Sequence, residues 1–310
     1  MTASTIPENG RRYLDTRAAF DGVADAYQGP LGNNRLVQQM REVLWREVCR
    51  VAVPGTRLLD LGCGTGHDAV YFARKGYSVT AIDWSAAMVA QTRRNAGAVG
   101  IGERVRTEHL GIQELDRVGE TGFGCIYSDL GALNCISDLE AVSRCCATLL
   151  QPGGALVFSV IGRYCPWELA HYGLRGNFTR MRVRFARVEV PVGLNGGTVW
   201  TRYYTPAEFF RPFSERFAWR RCRALNLFAP PPYLLAPFEN YPRVLGVLGW
   251  LDTQLGGLPL LNRAGDHFLL VMSRREGDHE EILGTSAGEV RTARRTEFCD
   301  RAEWNSALRK

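Results

Sequence analysis

Leu58-Leu59-Asp60-Leu61-Gly62-Cys63-Gly64-Thr65-Gly66-His67-Asp68 is the stretch of this 310-residue chain that decides its fold. An apolar run closes on an acid, three glycines follow at alternate positions, and a helical pattern begins. Further on, Val79-Thr80-Ala81-Ile82-Asp83 ends a second apolar run in another acid. The glycines let a strand turn sharply into a helix while its backbone lies against a ligand, where a Cβ would clash or forbid the dihedrals. The competing pattern is G-x-G-x-x-G, which seats a pyrophosphate on a helix N-terminus. Its third glycine would fall at position 67, which is His67. A carboxylate at Asp60 would also repel a pyrophosphate, whereas it suits an ammonium. The pattern therefore favours a ligand with a cationic end.

Composition bounds the rest. The chain is 45% hydrophobic and 23% charged, which is ordinary for a globular protein and long enough for one large α/β domain with additions. No run approaches the ~20 apolar residues that cross a bilayer. The nearest, 244–261, is broken by Asp252 and Gln254. The first fifteen residues are polar and lack a signal core, so the expected location is the cytoplasm, without membrane attachment. The nine cysteines show no CxxC pair and read as reduced thiols, and the five histidines form no cluster, so no metal is expected.

Outward from the glycine turn, periodicity predicts helices at 16–27 and 35–51, with residues 1–15 loose. Strand 57–61, helix 66–75, strand 78–82, helix 85–96, strands 104–108 and 123–128, helix 137–149 and strand 154–161 follow, with Gln151-Pro152-Gly153-Gly154 as the turn into the last. Alternating strands and helices predict a parallel sheet with helices on both faces. Ligands in such sheets bind beyond the carboxyl ends of the strands, where strand order reverses. After Gly162 the pattern changes: helix at 163–181, strands at 183–190 and 198–204 around Leu194-Asn195-Gly196-Gly197 as a hairpin, helix 206–214, strand 217–227, helix 243–255 and strand 267–273. The divisions are a helical lid (1–53), a ligand-binding core (54–162), an insertion with the final strands (163–273) and a mobile charged tail (274–310).

The D-x-G-x-G-x-G turn with a second strand-end acid resembles the cofactor signature of class I S-adenosylmethionine-dependent methyltransferases. That resemblance implies a Rossmann-like, doubly wound, mostly parallel seven-stranded α/β sheet with S-adenosyl-L-methionine as cofactor. It implies that Gly62, Cys63 and Gly64 let the backbone approach the methionine and ribose, that Asp60 helps hold the amino group, and that Asp83 accepts from the ribose hydroxyls, as a carboxylate can. Trp84 is placed to cover the adenine, with Met88 beside it. The acid often found past the third strand is missing from Glu108-His109-Leu110-Gly111-Ile112. Backbone groups of Leu110 or Gly111 substitute, or Glu108 and His109 turn inward. After the fourth strand, Ser128 and Asp129 stand at the tip beneath the methionine portion, and Asn134 is either a helix cap or a ligand contact.

The acceptor pocket is expected from the lid and the insertion: Tyr27, Asn33, Asn134, Arg163, Trp167 and Glu168. Tyr-Ser-x-x-Gly-x-Leu-Asn-Cys (127–135) with Gly-Arg-x-Cys-Pro-Trp-Glu (162–168) looks like a bacterial subgroup of small-molecule methyltransferase-like proteins. Methyl transfer needs a general base only if the acceptor arrives protonated. His109, His171, Asp129 and Glu168 are candidates by position, and no catalytic residue is assigned. Positions 163–223 hold twelve Arg and no Lys against four Glu and no Asp. Arginine favours carboxylate or phosphate, so the segment tilts the small-molecule acceptor towards an anion or one delivered on an acidic carrier protein. Nucleic acid is not favoured, since no RNA-binding module accompanies the arginines. An RNA or protein methyltransferase is the alternative, although Asn/Asp-Pro-Pro-aromatic is missing after the fourth strand. A fold that binds cofactor without catalysis is another.

Overall fold

The computed structural model describes residues 8–275. In chain order its elements are α1 (Glu8–Val23), α2 (Pro30–Asn33), α3 (Arg35–Val51), β1 (Arg57–Leu61), α4 (His67–Arg74), β2 (Ser78–Asp83), α5 (Ala86–Ala98), β3 (Val105–His109), β4 (Phe123–Ser128), α6 (Leu139–Leu149) and β5 (Leu150–Ile161). Then come α7 (Pro166–Leu174), α8 (Phe178–Arg182), β6 (Val190–Leu194), β7 (Gly197–Thr201), α9 (Pro206–Phe210), β8 (Phe217–Leu225), α10 (Pro242–Leu255) and β9 (His267–Arg274). Seven strands form one sheet in the order β3-β2-β1-β4-β5-β9-β8, and β6 and β7 pair as a separate hairpin. β1 to β5 run parallel, and only β9 runs against its neighbours on both sides. The order reverses between β1 and β4, and the carboxyl edge beside such a reversal is where open α/β sheets bind ligands.

Alternation along the strands decides what each face meets. Leu59, Leu61, Ile126 and Phe158 join the main core with Leu139, Val142 and Cys146 of α6 and Phe209 and Phe213. The opposite face carries Tyr127, whose ring meets Phe72 of α4 edge-on at 5.0 Å, and is covered by α3, α4 and α5. Asp60 shares that second face by register with Tyr127, which sets its carboxylate beneath α3 and α4.

Several elements differ from the sequence expectation. α1 starts at Glu8, inside the segment expected to be loose, and ends at Val23. Its apolar positions carry little periodic signal, and tertiary contacts hold it: Trp200 N–H donates to Thr16 Oγ1 at 3.1 Å, and Tyr13 Oη lies 2.6 Å from Ser137 Oγ. The 163–181 helix is two helices, broken at Gly176 with φ +68°. The expected strand at 183–190 begins only at Val190, because Arg184 is buried in an ion network that closes a short 3-10 turn over 183–185. β5 begins at Leu150, so 151–154 is an irregularity within the strand, with Gly153 at φ +72°. The charged tail expected from 274 lies outside the described residues beyond Arg275, as do residues 1–7.

Candidate functional site

The turn after β1 is held from two sides. Gly62 and Cys63 N–H both donate to the Ile82 carbonyl at 2.9 Å, and Gly64 N–H donates to Asp83 Oδ2 at 2.9 Å. From α5, Thr92 Oγ1 donates to the Gly64 carbonyl and Asn95 Nδ2 to the Thr65 carbonyl, each at 2.8 Å. Gly62, Gly64 and Gly66 all have positive φ, at 76°, 54° and 82°. A Cβ at Gly62 would sit 2.6 Å from Ala132 Cβ, and one at Gly66 would strike Thr92. At Gly64 it would meet only Tyr27, at 3.9 Å. Gly62 and Gly66 thus serve packing, while Gly64 leaves an open cradle under the lid.

Asp83 Oδ1 accepts from Ser85 N–H at 2.8 Å. With one donor on each oxygen, each keeps a lone pair for a ligand hydroxyl. Burial pushes its carboxyl up to about 6, against the backbone donors of Ser85 and Gly64.

Between α3 and α4 lies a buried charge cluster. Arg41 of α3 pairs with Asp68 of α4 and lies 3.9 Å from Asp129, while Trp45 Nε1 donates to Asp68 Oδ1 at 2.6 Å. One guanidinium thus faces three carboxylates, Asp60, Asp68 and Asp129. Asp68 is satisfied. Asp60 Oδ2 and both oxygens of Asp129 are buried without hydrogen-bond partners among the described residues. Burial, and then Asp68, push Asp60 well above the carboxylate range and Asp129 up to about 6. His67 Nε2 and Asn33 Oδ1, nearby on α4 and the lid, are buried and unpartnered as well. Burial and then Arg41 push His67 down to about 4. Unsatisfied buried carboxylates are costly. Here they collect where a ligand carrying an ammonium and a sulfonium would satisfy them, and where a pyrophosphate would be repelled. The residues present fit S-adenosylmethionine.

The other expected cofactor residues are placed as follows. Cys63 Sγ turns to Thr92 Oγ1 at 3.6 Å, so only its backbone belongs to the turn. Trp84 is half-buried, met edge-on by Tyr13 at 5.6 Å, with Arg17 5.7 Å from its centroid. Met88 is buried in a small cluster with Val23, Ala24 and Tyr27 that seats α1 on α5. Leu110 joins the main core, and Gly111 N–H is taken by Glu114 Oε2 at 3.0 Å. Glu108 turns to Arg106, and His109 Nε2 to the Trp84 carbonyl. Ser128 donates to the Leu61 carbonyl at 2.8 Å, pinning β4 to β1.

Among the expected acceptor residues, Tyr27 lies over the glycine turn, where burial raises its hydroxyl pKa. Three others make internal bonds. Asn134 is fully buried, donating to the Ile161 and Arg202 carbonyls and accepting from Ile161 N–H. Arg163 donates to the Tyr203 carbonyl and pairs with Glu208 at 2.8 Å. Glu168 is held in a fork by Arg184, at 2.7 and 2.9 Å, and bonded by Tyr233. Trp167 donates to the Phe228 carbonyl at 3.1 Å.

Sequence reading missed His267, the first residue of β9. It sits opposite Ile161, the last residue of β5, on the carboxyl edge. Its Nδ1 lies 3.0 Å from Asp266 Oδ2, and its Nε2 is buried without a hydrogen-bond partner among the described residues. The one sequence signal was the adjacent Asp-His pair at the start of a strand.

Comparison with known proteins agrees with this geometry. A family described as "Methyltransferase domain" matches residues 58–154. "Ubiquinone biosynthesis O-methyltransferase" of Xanthomonas campestris pv. campestris (strain B100) is 32% identical over 198 residues, covering 63% of this chain and 73% of the relative. "tRNA 5-carboxymethoxyuridine methyltransferase" of Escherichia coli (strain K12) is 27% identical, covering 51% of this chain and 61% of the relative. Among solved structures, Burkholderia thailandensis 1,6-didemethyltoxoflavin-N1-methyltransferase superposes with a TM-score of 0.52 at 17% identity, over 89% of this chain and 94% of that one. Geranyl diphosphate C-methyltransferase from Streptomyces coelicolor A3(2) gives 0.52 at 18% identity, over 78% and 77%. The two structural likenesses show the fold.

Proposed function

The chain belongs to the class I S-adenosylmethionine-dependent methyltransferases, and we propose that it methylates a hydroxyl of a small-molecule acceptor. The cofactor is S-adenosylmethionine, which supplies an electrophilic methyl on a good leaving group. The observation that carries the site assignment is the set of buried carboxyl oxygens on Asp60 and Asp129 that lack a hydrogen-bond partner among the described residues, beside a glycine turn that ends against Asp83.

In this reading Asp60 and Asp129 hold the cationic methionine end, Asp83 accepts from the ribose hydroxyls, and the open face of Gly64 lets the backbone approach. Tyr27 covers the turn and excludes water. Rigid placement of acceptor against methyl can supply up to ~7–11 kcal/mol of the barrier reduction.

The oxygen acceptor is supported by the O-methyltransferase relative. The arginine-rich insertion no longer argues for an anionic or carrier-bound acceptor. Eight of its twelve arginines have internal partners. Arg163 and Arg184 are buried in ion pairs, and Arg202 lies over Tyr204. Arg216 and Arg221 pair with Glu140 and Glu47, and Arg175, Arg220 and Arg223 bond His171, Ser273 and the backbone of α10.

Calorimetry with S-adenosylhomocysteine and with a nicotinamide dinucleotide tests the cofactor assignment: only the first should bind. Incubation with methyl-labelled cofactor and a metabolite extract, read by mass spectrometry, tests the acceptor. Label on an RNA or protein fraction alone would overturn the small-molecule assignment.

A further inference from the structure

We propose that His267, oriented by Asp266, is the general base that takes the acceptor's proton, and that the acceptor hydroxyl is one that arrives protonated, as a phenol or enol does. This deepens the reading above and rests on it.

The geometry is that of a base with its orienting partner. Asp266 is buried and held ionised: burial opposes this, but His267 and Arg184 outweigh it and keep the carboxyl well below its usual range. An ionised carboxylate only accepts, so Nδ1 of His267 is the protonated nitrogen. In the neutral ring Nε2 then carries the free lone pair, and it is this atom that is buried with no partner. Asp266 is fixed in turn. Arg184 Nη2 donates to its Oδ1 at 2.6 Å and Nη1 to its backbone carbonyl at 2.9 Å, while Glu168 clamps the other side of the guanidinium. So much support behind one imidazole nitrogen with nothing to bond is the arrangement of a proton acceptor. The charged and titratable groups around it are Asp129 beyond β4, Glu168 and Cys165 at α7, Arg184 and Tyr203 of the insertion, and Tyr233 of the loop before α10. Asp129, β5 and His267 lie in sequence across the carboxyl edge, so an acceptor over β5 would have the cofactor's methyl end on one side and Nε2 on the other.

The step balances. A lone pair of the acceptor oxygen forms the bond to the methyl carbon, the methyl–sulfur bond breaks, and its electron pair stays on sulfur as a thioether. The acceptor's proton moves to Nε2, and the imidazolium is stabilised by Asp266. Asp266, Arg184 and Glu168 are positioning residues.

The test uses the full chain, S-adenosylmethionine and two probes at pH 7.5: 3,4-dihydroxybenzoate, whose hydroxyls are protonated, and 4-nitrocatechol, which is largely ionised. His267→Gln should lower kcat about 10²- to 10⁴-fold on the first probe, much less on the second, and leave adenosylhomocysteine affinity unchanged. The wild-type pH–rate limb for the first probe should vanish in the variant. Asp266→Asn should show the same probe-dependent loss. Independently of turnover, ¹⁵N spectra of the imidazoles should contain a signal from an unprotonated Nε2 that is lost in His267→Gln. Equal losses on both probes, full activity of His267→Gln, or a protonated Nε2 in the neutral ring would overturn the proposal. So would a wild-type protein that binds adenosylhomocysteine yet methylates neither phenol. A wild-type protein that fails to bind adenosylhomocysteine would overturn the cofactor assignment, and this proposal with it.

Discussion

Cofactor binding should be strongly coupled to protons, because the ligand-free site holds carboxyls that burial keeps partly protonated. Burial pushes the Asp83 and Asp129 carboxyls up to about 6 in the free protein. The ionised forms accept hydroxyl protons on both oxygens and hold a cation far better than the neutral ones. A bound ligand that needs both therefore binds better as pH rises through this range. For one carboxyl of pKa ~6, the ionised fraction rises from ~9% at pH 5 to ~91% at pH 7, a tenfold change, so two give about 100-fold, or ~2.7 kcal/mol. An α-amino group stays cationic through the same interval, so the ligand's own ionisation does not oppose the trend. The assay is calorimetry of adenosylhomocysteine binding at pH 5, 6 and 7, each in two buffers of different ionisation enthalpy. At pH 6 each carboxyl should release about half a proton, and Asp60, also raised by burial, adds to the total. Asp129→Asn should cut the pH effect by about tenfold. An affinity constant within threefold from pH 5 to 7, with no proton release and the fold intact by circular dichroism, would refute the assignment of these carboxylates to the cofactor.

The turn glycines should separate by role. Gly62→Ala meets Ala132 Cβ at 2.6 Å and should cost ~2–4 kcal/mol in urea unfolding. Gly64→Ala, open except for Tyr27, should cost only ~1 kcal/mol yet lose at least about tenfold in adenosylhomocysteine affinity, through contact with the ligand. Asn134→Ala strands Ile161 N–H and two carbonyls and should lose ~2–4 kcal/mol of stability with KM unchanged. A KM effect without a stability loss would restore it to the acceptor pocket. Arg41→Met leaves Asp68 buried beside Trp45 alone and should lower stability by ~3–5 kcal/mol in denaturant titration. Asp68→Asn added to it should recover part of that loss.

The parallel half of the fold was readable because its central strands β1, β2, β4 and β5 are largely buried and bounded by local signals. β1 runs apolar until Asp60, and Ser85 caps α5 by accepting from Met88 N–H at 3.1 Å. The rest depended on partners far away in sequence. α1 has no clear apolar stripe, since what holds it is Trp200 and Ser137. The alternation at 183–190 looked like a strand because a buried arginine reads as polar: Arg184 points inward, to Glu168 and Asp266. Asp60 and Asp83 were legible from their places at strand ends. Arg41 and Asp68 were not, because nothing local tells a paired, buried charge from a solvated one. His267 was hidden for the same reason. It sits in an apolar strand, and only the pairing of β9 with β5 brings it to the edge where ligands bind.

The charge layout also separates the two ends of the crevice. Around β1 and β4 acidic groups outnumber basic ones, with three aspartates against Arg41. Around β9 the two are matched: Arg184 and His267 face Asp266 and Glu168. A sulfonium at the first end relieves carboxylates that have nothing else to bond, and methyl transfer removes that positive charge from sulfur. At an effective dielectric of about 20, a unit charge 4 Å from a carboxylate is worth about 4 kcal/mol before desolvation. Part of the hold on the ligand is therefore lost at the moment of reaction. Meanwhile the proton released by the acceptor appears at the matched end, where Asp266 is already ionised and braced to receive an imidazolium. The aspartates thus favour the reactant cofactor over its product, and the Arg184 network keeps the proton's destination fixed while they let go.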